Sequence, residues 1–140
     1  SYIGMANQKG KVFTLEGCPQ TARIAQNNFK ELQLNNIEIT VGDFELTLQQ
    51  KLKELKRIDL VFIDANHKEQ PTIRYFTSCL KYAQNNSLFI FDDIHWSKGM
   101  ENAWEYIKKH ERTTLTIDLF FIGIVFIKRE LSKENFKIRF

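Results

Sequence analysis

Apolar and polar positions follow two rhythms along this chain, and the rhythm switches repeatedly. Residues 11–17, KVFTLEG, are rich in β-branched and aromatic side chains and close on Gly17, which predicts a strand. Residues 19–34 carry Ala22, Ala25, Phe29 and Leu32 at helical spacing, and Pro19 suits the first turn of that helix. Residues 37–43, IEITVGD, predict a second strand. Residues 46–55 place Leu46, Leu48, Leu52 and Leu55 on roughly one side of a helix. Residues 58–64, IDLVFID, and 87–93, SLFIFDD, are continuous apolar runs, the pattern of parallel strands covered on both faces. Between them residues 70–83 predict a helix. Residues 97–110 predict another, with Ser97 as N-cap and Met100, Ala103, Trp104 and Ile107 as the apolar stripe. Residues 114–129 are too long and too β-prone for one strand and predict two strands around Gly123. Residues 1–8, SYIGMANQ, have the pattern of the last turns of a helix stopped by Lys9 and Gly10.

Strands and helices therefore alternate and end in an antiparallel hairpin. The expected fold class is α/β: a Rossmann-like three-layer sandwich around a mostly parallel sheet, in a single domain over residues 1–140. The length allows a core without staples. With 12 Phe residues, that core should be rich in aromatic rings. Cys18 and Cys79 lack metal-ligand spacing and are expected to be free thiols in a reducing, cytoplasmic setting. No apolar run reaches the ~18 residues of a membrane span. The net charge of +3 is small, and Lys51, Lys53 and Lys56 fall on an ordinary solvated helix face, so neither nucleic acid nor membrane is an expected partner.

The chemistry sits at the strand ends. Glu16, Asp43, Asp64, Asp92 and Asp93 each fall at the C-terminal end of a predicted strand, the rim where open parallel sheets bind ligands. A single such acid is commonly a helix cap or a turn residue. A series of them points to a site. A carboxylate after the second strand of a Rossmann-like unit accepts both hydroxyls of a ribose, the role that fits Glu16 beside Gly17. Asp43 and Phe44 offer an acceptor and an aromatic face to an adenine. Asp64, Asp92 and Asp93 are three hard oxygen donors, suited to Mg²⁺ or another divalent cation if they converge. Without a cation, the adjacent pair Asp92 and Asp93 predicts one raised pKa or one outward-turned side chain.

Five segments, KVFTLEGCPQTARIAQNNF, IEITVGDF, DLVFIDANHKEQPTIRYF, LFIFDDIHWSKGM and TIDLFFIGIVFIKR, occur in order. Together they resemble the later motifs of class I S-adenosylmethionine-dependent methyltransferases. The likeness is greatest to small-molecule O-methyltransferases of the catechol and caffeoyl-CoA type, and it covers essentially the whole chain. The resemblance implies S-adenosylmethionine as cofactor, bound by Glu16, Gly17, Asp43, Phe44 and Asp64, and a small-molecule hydroxyl as methyl acceptor. In metal-dependent members, positions matching Asp64, Asp92 and Asp93 hold the cation. The position of His67 carries a catalytic lysine there. His67 is thus the candidate general base, since an imidazole serves near neutral pH without the burial a lysine amine needs. Trp96 suits packing or a wall of the acceptor pocket, and His95 suits a structural role at a helix entry. Cys18 suits small-residue packing beside Glu16.

Two departures stand out. The family's first strand and its glycine-rich turn, which cradles the methionine part of the cofactor, have no counterpart in these residues. The resemblance therefore implies an N-terminally incomplete domain of reduced or absent activity. The strands at 11–17 and 58–64 would then pair directly, take a strand from another chain, or leave an open edge at which homo-oligomers form. Asp93 also stands where the family carries Asn. An NAD-type Rossmann domain is the alternative, although no G-x-G-x-x-G occurs. A non-catalytic interaction module is another.

Overall fold

The computed structural model describes residues 1–139. Chain contacts divide it into two compact units, Ser1–Glu54 and Leu55–Phe140.

The first unit contains helix α1 (Tyr2–Ala6), strand β1 (Val12–Glu16), helix α2 (Pro19–Glu31), strand β2 (Ile37–Val41) and helix α3, which begins at Phe44 and ends at Leu55. Strands β1 and β2 pair in parallel from Val12↔Ile37 to Glu16↔Val41 and form a two-stranded sheet of their own. Pro19 opens α2 as expected, with Cys18 as N-cap. Helix α3 starts two residues before its apolar rhythm because Asp43 caps it, its Oδ1 accepting from Leu46 N–H at 3.1 Å. Leu48 and Leu52 are buried, whereas Leu46 is exposed. Asn36 ties the end of α1 to the loop before β1 by donating to the carbonyls of Gly4, Asn7 and Gly10.

The second unit contains β3 (Ile58–Ile63), α4 (Glu69–Leu80), β4 (Ala83–Asp92), α5 (Lys98–Lys109), β5 (Leu115–Asp118), β6 (Ile122–Phe126) and β7 (Glu134–Lys137). Its five-stranded sheet has the order β3-β4-β6-β5-β7. β3 and β4 are parallel, β6 is antiparallel to both β4 and β5, and β7 is parallel to β5. Four of the five strands thus share one direction, and the expected C-terminal hairpin is β5–β6.

Phe76 of α4 packs edge-on against Phe89 and Phe91 of β4, with ring centroids 5.4 and 5.8 Å apart, and Phe91 meets Trp104 of α5. All four rings are essentially buried, so the core is aromatic as the composition predicts. The expected α5 stripe of Met100, Ala103, Trp104 and Ile107 is buried in full, and Ser97 Oγ caps the helix by accepting from Met100 N–H.

Three expectations need correction. The turn of the hairpin falls at residues 119–121, not at Gly123, which lies inside β6. Gly123 is there for closeness: a Cβ on it would stand 2.7 Å from the Trp104 ring. The helix predicted over 70–83 ends at Leu80 instead, and Ala83 opens strand β4, which starts four residues before the predicted strand, because Arg112 holds the carbonyls of Leu80 and Ala83 and ends α4 there. Finally, the apolar run of β3 is not covered on both faces. Ile63 is buried, but Leu60 and Phe62 on the opposite face are 43% and 46% exposed.

Candidate active site

Each unit presents acids at the C-terminal end of its parallel strands. In the first unit, Glu16 ends β1 and Gly42 N–H bonds its carbonyl at 3.0 Å. Gly17, Asp43 and Phe44 follow the ends of β1 and β2, so these four expected cofactor contacts share one rim. Glu16 Oε1 accepts from Cys18 N–H at 2.8 Å, which fixes the carboxylate. Oε2 accepts nothing among the described residues and is open to a hydroxyl donor. Asp43 spends one oxygen on capping α3, so part of its signal at the strand end is local structure.

In the second unit, Asp64 follows β3 and Asp92 ends β4, side by side in parallel pairing. The loops beyond them bring His67 and Asp93 to the same place. His67 Nε2 stands 3.2 Å from Asp64 Oδ1 and 3.8 Å from Asp93 Oδ2. Asn66, His67 and Asp93 have φ of 67°, 31° and 53°, a left-handed backbone uncommon for residues other than glycine. That bend swings the imidazole back over the strand ends. Burial, and then the neighbouring Asp64 and Asp93 charges, push the Asp92 carboxyl above its ordinary range. This matches the raised value expected of one member of the acidic pair.

The three carboxylates have the chemistry of a divalent-cation site but not the arrangement. Among the described residues, no group of three or more His, Cys, Asp or Glu side chains is placed to share an ion. Asp64, Asp92 and Asp93, expected to converge as metal ligands, instead have the His67 imidazole between Asp64 and Asp93. The left-handed backbone at Asp93 gives its side chain a different course from that of Asp92.

Beyond the cluster, Trp96 is 70% exposed, so it is not packed in the core, and its ring centroid lies 6.2 Å from that of His67. His95 does have a structural partner: its Nε2 is 2.9 Å from Oδ2 of Asp118 at the end of β5. Asp118 was not singled out by the sequence. Its signal was a charged residue closing an alternating apolar strand one turn before the hairpin reverses. No helix among the described residues is long and apolar enough to cross a membrane.

The model of a methyltransferase domain family matches residues 3–94. Solved structures with the same fold include an O-methyltransferase from Bacillus cereus in complex with SAH, 25% identical with a TM-score of 0.66, for which the match covers 84% of this chain and 63% of that one. Another is the O-methyltransferase TomG from Streptomyces achromogenes, involved in tomaymycin synthesis and in complex with SAM. It is 20% identical with a TM-score of 0.69, over 85% of this chain and 62% of that one. A third is the SAH-bound methyltransferase PaMTH1 of Podospora anserina, 18% identical with a TM-score of 0.70, over 91% of this chain and 64% of that one. No curated protein matches the sequence. The chain thus spans a little under two thirds of the length of these structures. The matched segment runs from α1 through the acids ending β1, β3 and β4, and it is on that span that the chain belongs to the methyltransferase domain family.

Proposed function

We propose that this chain is the catalytic part of an S-adenosylmethionine-dependent O-methyltransferase acting on a small-molecule hydroxyl. The observation that carries the reading is His67, held at the C-terminal rim of parallel strands with its Nε2 3.2 Å from Asp64. When bound, S-adenosylmethionine supplies an electrophilic methyl group on a sulfonium. Glu16 accepts the ribose hydroxyls, and Asp43 and Phe44 flank the adenine. With Nε2–H donating to Asp64, the ring presents Nδ1 as the acceptor for the proton of the acceptor hydroxyl. The Asp64 and Asp93 carboxylates then stabilise the imidazolium that forms. This proton path runs through no cation.

Calorimetric titration of S-adenosylhomocysteine into the chain tests the reading, with NAD as control. Micromolar binding is expected, weakened about tenfold or more by Glu16→Ala, the loss of one or two hydroxyl bonds to a charged group. Equal or tighter binding of NAD, or an S-adenosylhomocysteine affinity that Glu16→Ala leaves unchanged, overturns it. Millimolar Mg²⁺ should leave the affinity unchanged. A gain with Mg²⁺ that Asp92→Asn removes would instead assign the carboxylates to a cation.

A further inference from the structure

The start of β4 is built more elaborately than its pairing requires. Strand β4 advances from Ala83 to Leu88 while β3 advances only from Ile58 to Leu60, so residues 84–87 bulge from the ladder. The bulge is pinned by the buried Ser87, whose Oγ accepts from Gln84 N–H at 2.7 Å and donates to the Ile58 carbonyl at 2.6 Å. Bulges re-aim side chains, and they recur next to active sites.

The bulge carries Asn85, whose amide serves two neighbours. Its Oδ1 accepts from Arg129 N–H at 3.0 Å, and its Nδ2 donates to both oxygens of Glu130, at 3.0 and 2.8 Å. Asn85 thereby fastens the turn after β6, closed by Leu131 N–H on the Lys128 carbonyl, to the start of β4. Arg112 reaches in from the loop after α5, its Nη1 donating to the Leu80 carbonyl and its Nη2 to that of Ala83 at 3.3 Å. These three segments border a cleft of about 420 Å³, lined by Gln84, Asn85, Arg112, Arg129 and Glu130 with only Ala83 and Ile127 as apolar members. That volume falls in the range of small-molecule sites, roughly 300–1,000 Å³. Its charge points to an anion, since two guanidinium groups stand against one carboxylate, and that carboxylate is already engaged by Asn85. The bonds of Arg112 to two carbonyls fix its guanidinium plane and leave its remaining N–H donors for a ligand. The Arg129 guanidinium makes no hydrogen bond or ion pair among the described residues, although its backbone is held in place. Ending α4 accounts for Arg112 alone; it explains neither the bulge nor the fastening of Arg129 to the same cleft.

We propose that this cleft is a binding site for a small phosphorylated ligand, whose phosphate is held by Arg112 and Arg129. Two guanidinium forks match a phosphate better than a carboxylate, because a phosphate carries a charge of about −1.5 to −2 at neutral pH on three acceptor oxygens. The cleft lies at the opposite end of β4 from Asp92, so the inference does not rest on the methyl-transfer reading.

Inorganic phosphate serves as the probe, titrated at constant ionic strength against chloride. The readout is nuclear magnetic resonance of the Arg112 and Arg129 Nε–H groups and the Asn85 side-chain amide. Saturable shifts with a Kd of about 1 mM or tighter are expected. Arg129 is exposed, so its replacement should leave the circular dichroism spectrum unchanged. Arg129→Ala should weaken binding about tenfold, the loss of charged hydrogen bonds. Arg129→Lys keeps the charge without the fork and should recover only part of that loss. Asn85→Ala removes no charge but frees the turn, and should weaken binding about fivefold or more. Shifts that do not saturate overturn the proposal. So does an affinity that Arg129→Ala leaves unchanged, or that Arg129→Lys restores in full, since unspecific surface charge would behave that way. Unchanged affinity in Asn85→Ala likewise denies a built site; should that variant alter the circular dichroism spectrum, Arg129→Lys decides. Acetate binding as tightly as phosphate overturns the assignment of a phosphorylated ligand.

Discussion

The two thiols differ sharply in chemistry although neither is in a disulfide. Burial pushes Cys79 up to about 12, whereas the Thr21 side chain and the Thr21 and Gln20 amides hold Cys18 below the ordinary thiol value. One thiol, Cys18, should therefore react rapidly with a chromogenic disulfide at pH 7.5, and Cys79 only on unfolding; two rapid equivalents would contradict the burial of α4. Asp118 makes a pH-dependent contribution whose sign follows from its bonds. Burial alone would raise its carboxyl, but the Phe120 amide, His95 and Arg139 together hold it below the ordinary range. Its stabilisation is thus present above the ordinary carboxylate pKa of about 4 and lost as pH falls through the lower folded value. The groups facing it are His95, Arg139 and, through His95, Glu101, whose Oε1 is 3.8 Å from His95 Nδ1. The melting-temperature gap between the unaltered chain and Asp118→Asn should be widest near neutrality and close below about pH 4. A gap independent of pH would remove the carboxylate from the account. With any acceptor that is turned over, His67→Ala should lower kcat by about 10²–10⁴-fold and spare S-adenosylhomocysteine affinity; an unchanged kcat would dismiss the base. At this scale the strand-end acids were legible because strand ends are marked by pattern. The Asp118–His95 pair was not, because nothing local links residues so far apart in sequence.

Elements with a strong rhythm were the most legible. The α5 stripe lies buried as its spacing predicts, because period and burial are one signal on a helix packed against a sheet. Weak rhythms gave way to neighbours: the Leu46 end of α3 is set by the Asp43 cap, and the start of β4 by pairing with β3. Strand β7, all of whose residues are exposed, has no alternation to reveal it. Gly123 shows how one residue type carries two meanings. Read alone, a glycine in a long β-prone run signals a turn. In the sheet it makes room for Trp104, and the turn is built instead from Leu119, Phe120 and Phe121 with Asp118 as its anchor. Gly123→Ala should therefore destabilise the second unit by about 1–3 kcal/mol, the usual cost of overpacking a rigid ring. Trp104→Leu in the same background should recover part of that loss in urea titration. If the alanine is neutral alone, the close contact does not constrain the fold.

The second unit seals one face of its sheet and leaves the other half-buried, with Leu60 and Phe62 exposed. Register places Leu60 opposite Leu88, Phe62 opposite Ile90, and Leu88 and Ile90 opposite Phe126 and Ile124, so these apolar side chains share a face, none of them fully buried. The reverse face, with Phe89, Phe91 and Val125, is sealed by α4 and α5. This asymmetry was hidden in the sequence. A continuous apolar run says that both faces of a strand avoid water, not what covers them. Parallel sheets in α/β folds are ordinarily covered on both sides. An apolar sheet face that is half-buried and exposes Leu60 and Phe62 at its β3 edge is the kind of surface that binds hydrophobic dyes and drives association. The 140-residue chain should therefore bind anilinonaphthalene sulfonate in its folded state and sediment faster as concentration rises. Phe62→Lys, at an exposed site, should cut the dye signal by about half and slow that association, with little change in far-ultraviolet circular dichroism. Phe89→Ala serves as the contrast: on the sealed face it should cost about 3–5 kcal/mol and raise the dye signal by loosening the core. If Phe62→Lys instead unfolds the chain while dye binding in the parent is absent, the face is covered in solution, and the two-sided burial that the apolar run first suggested is restored.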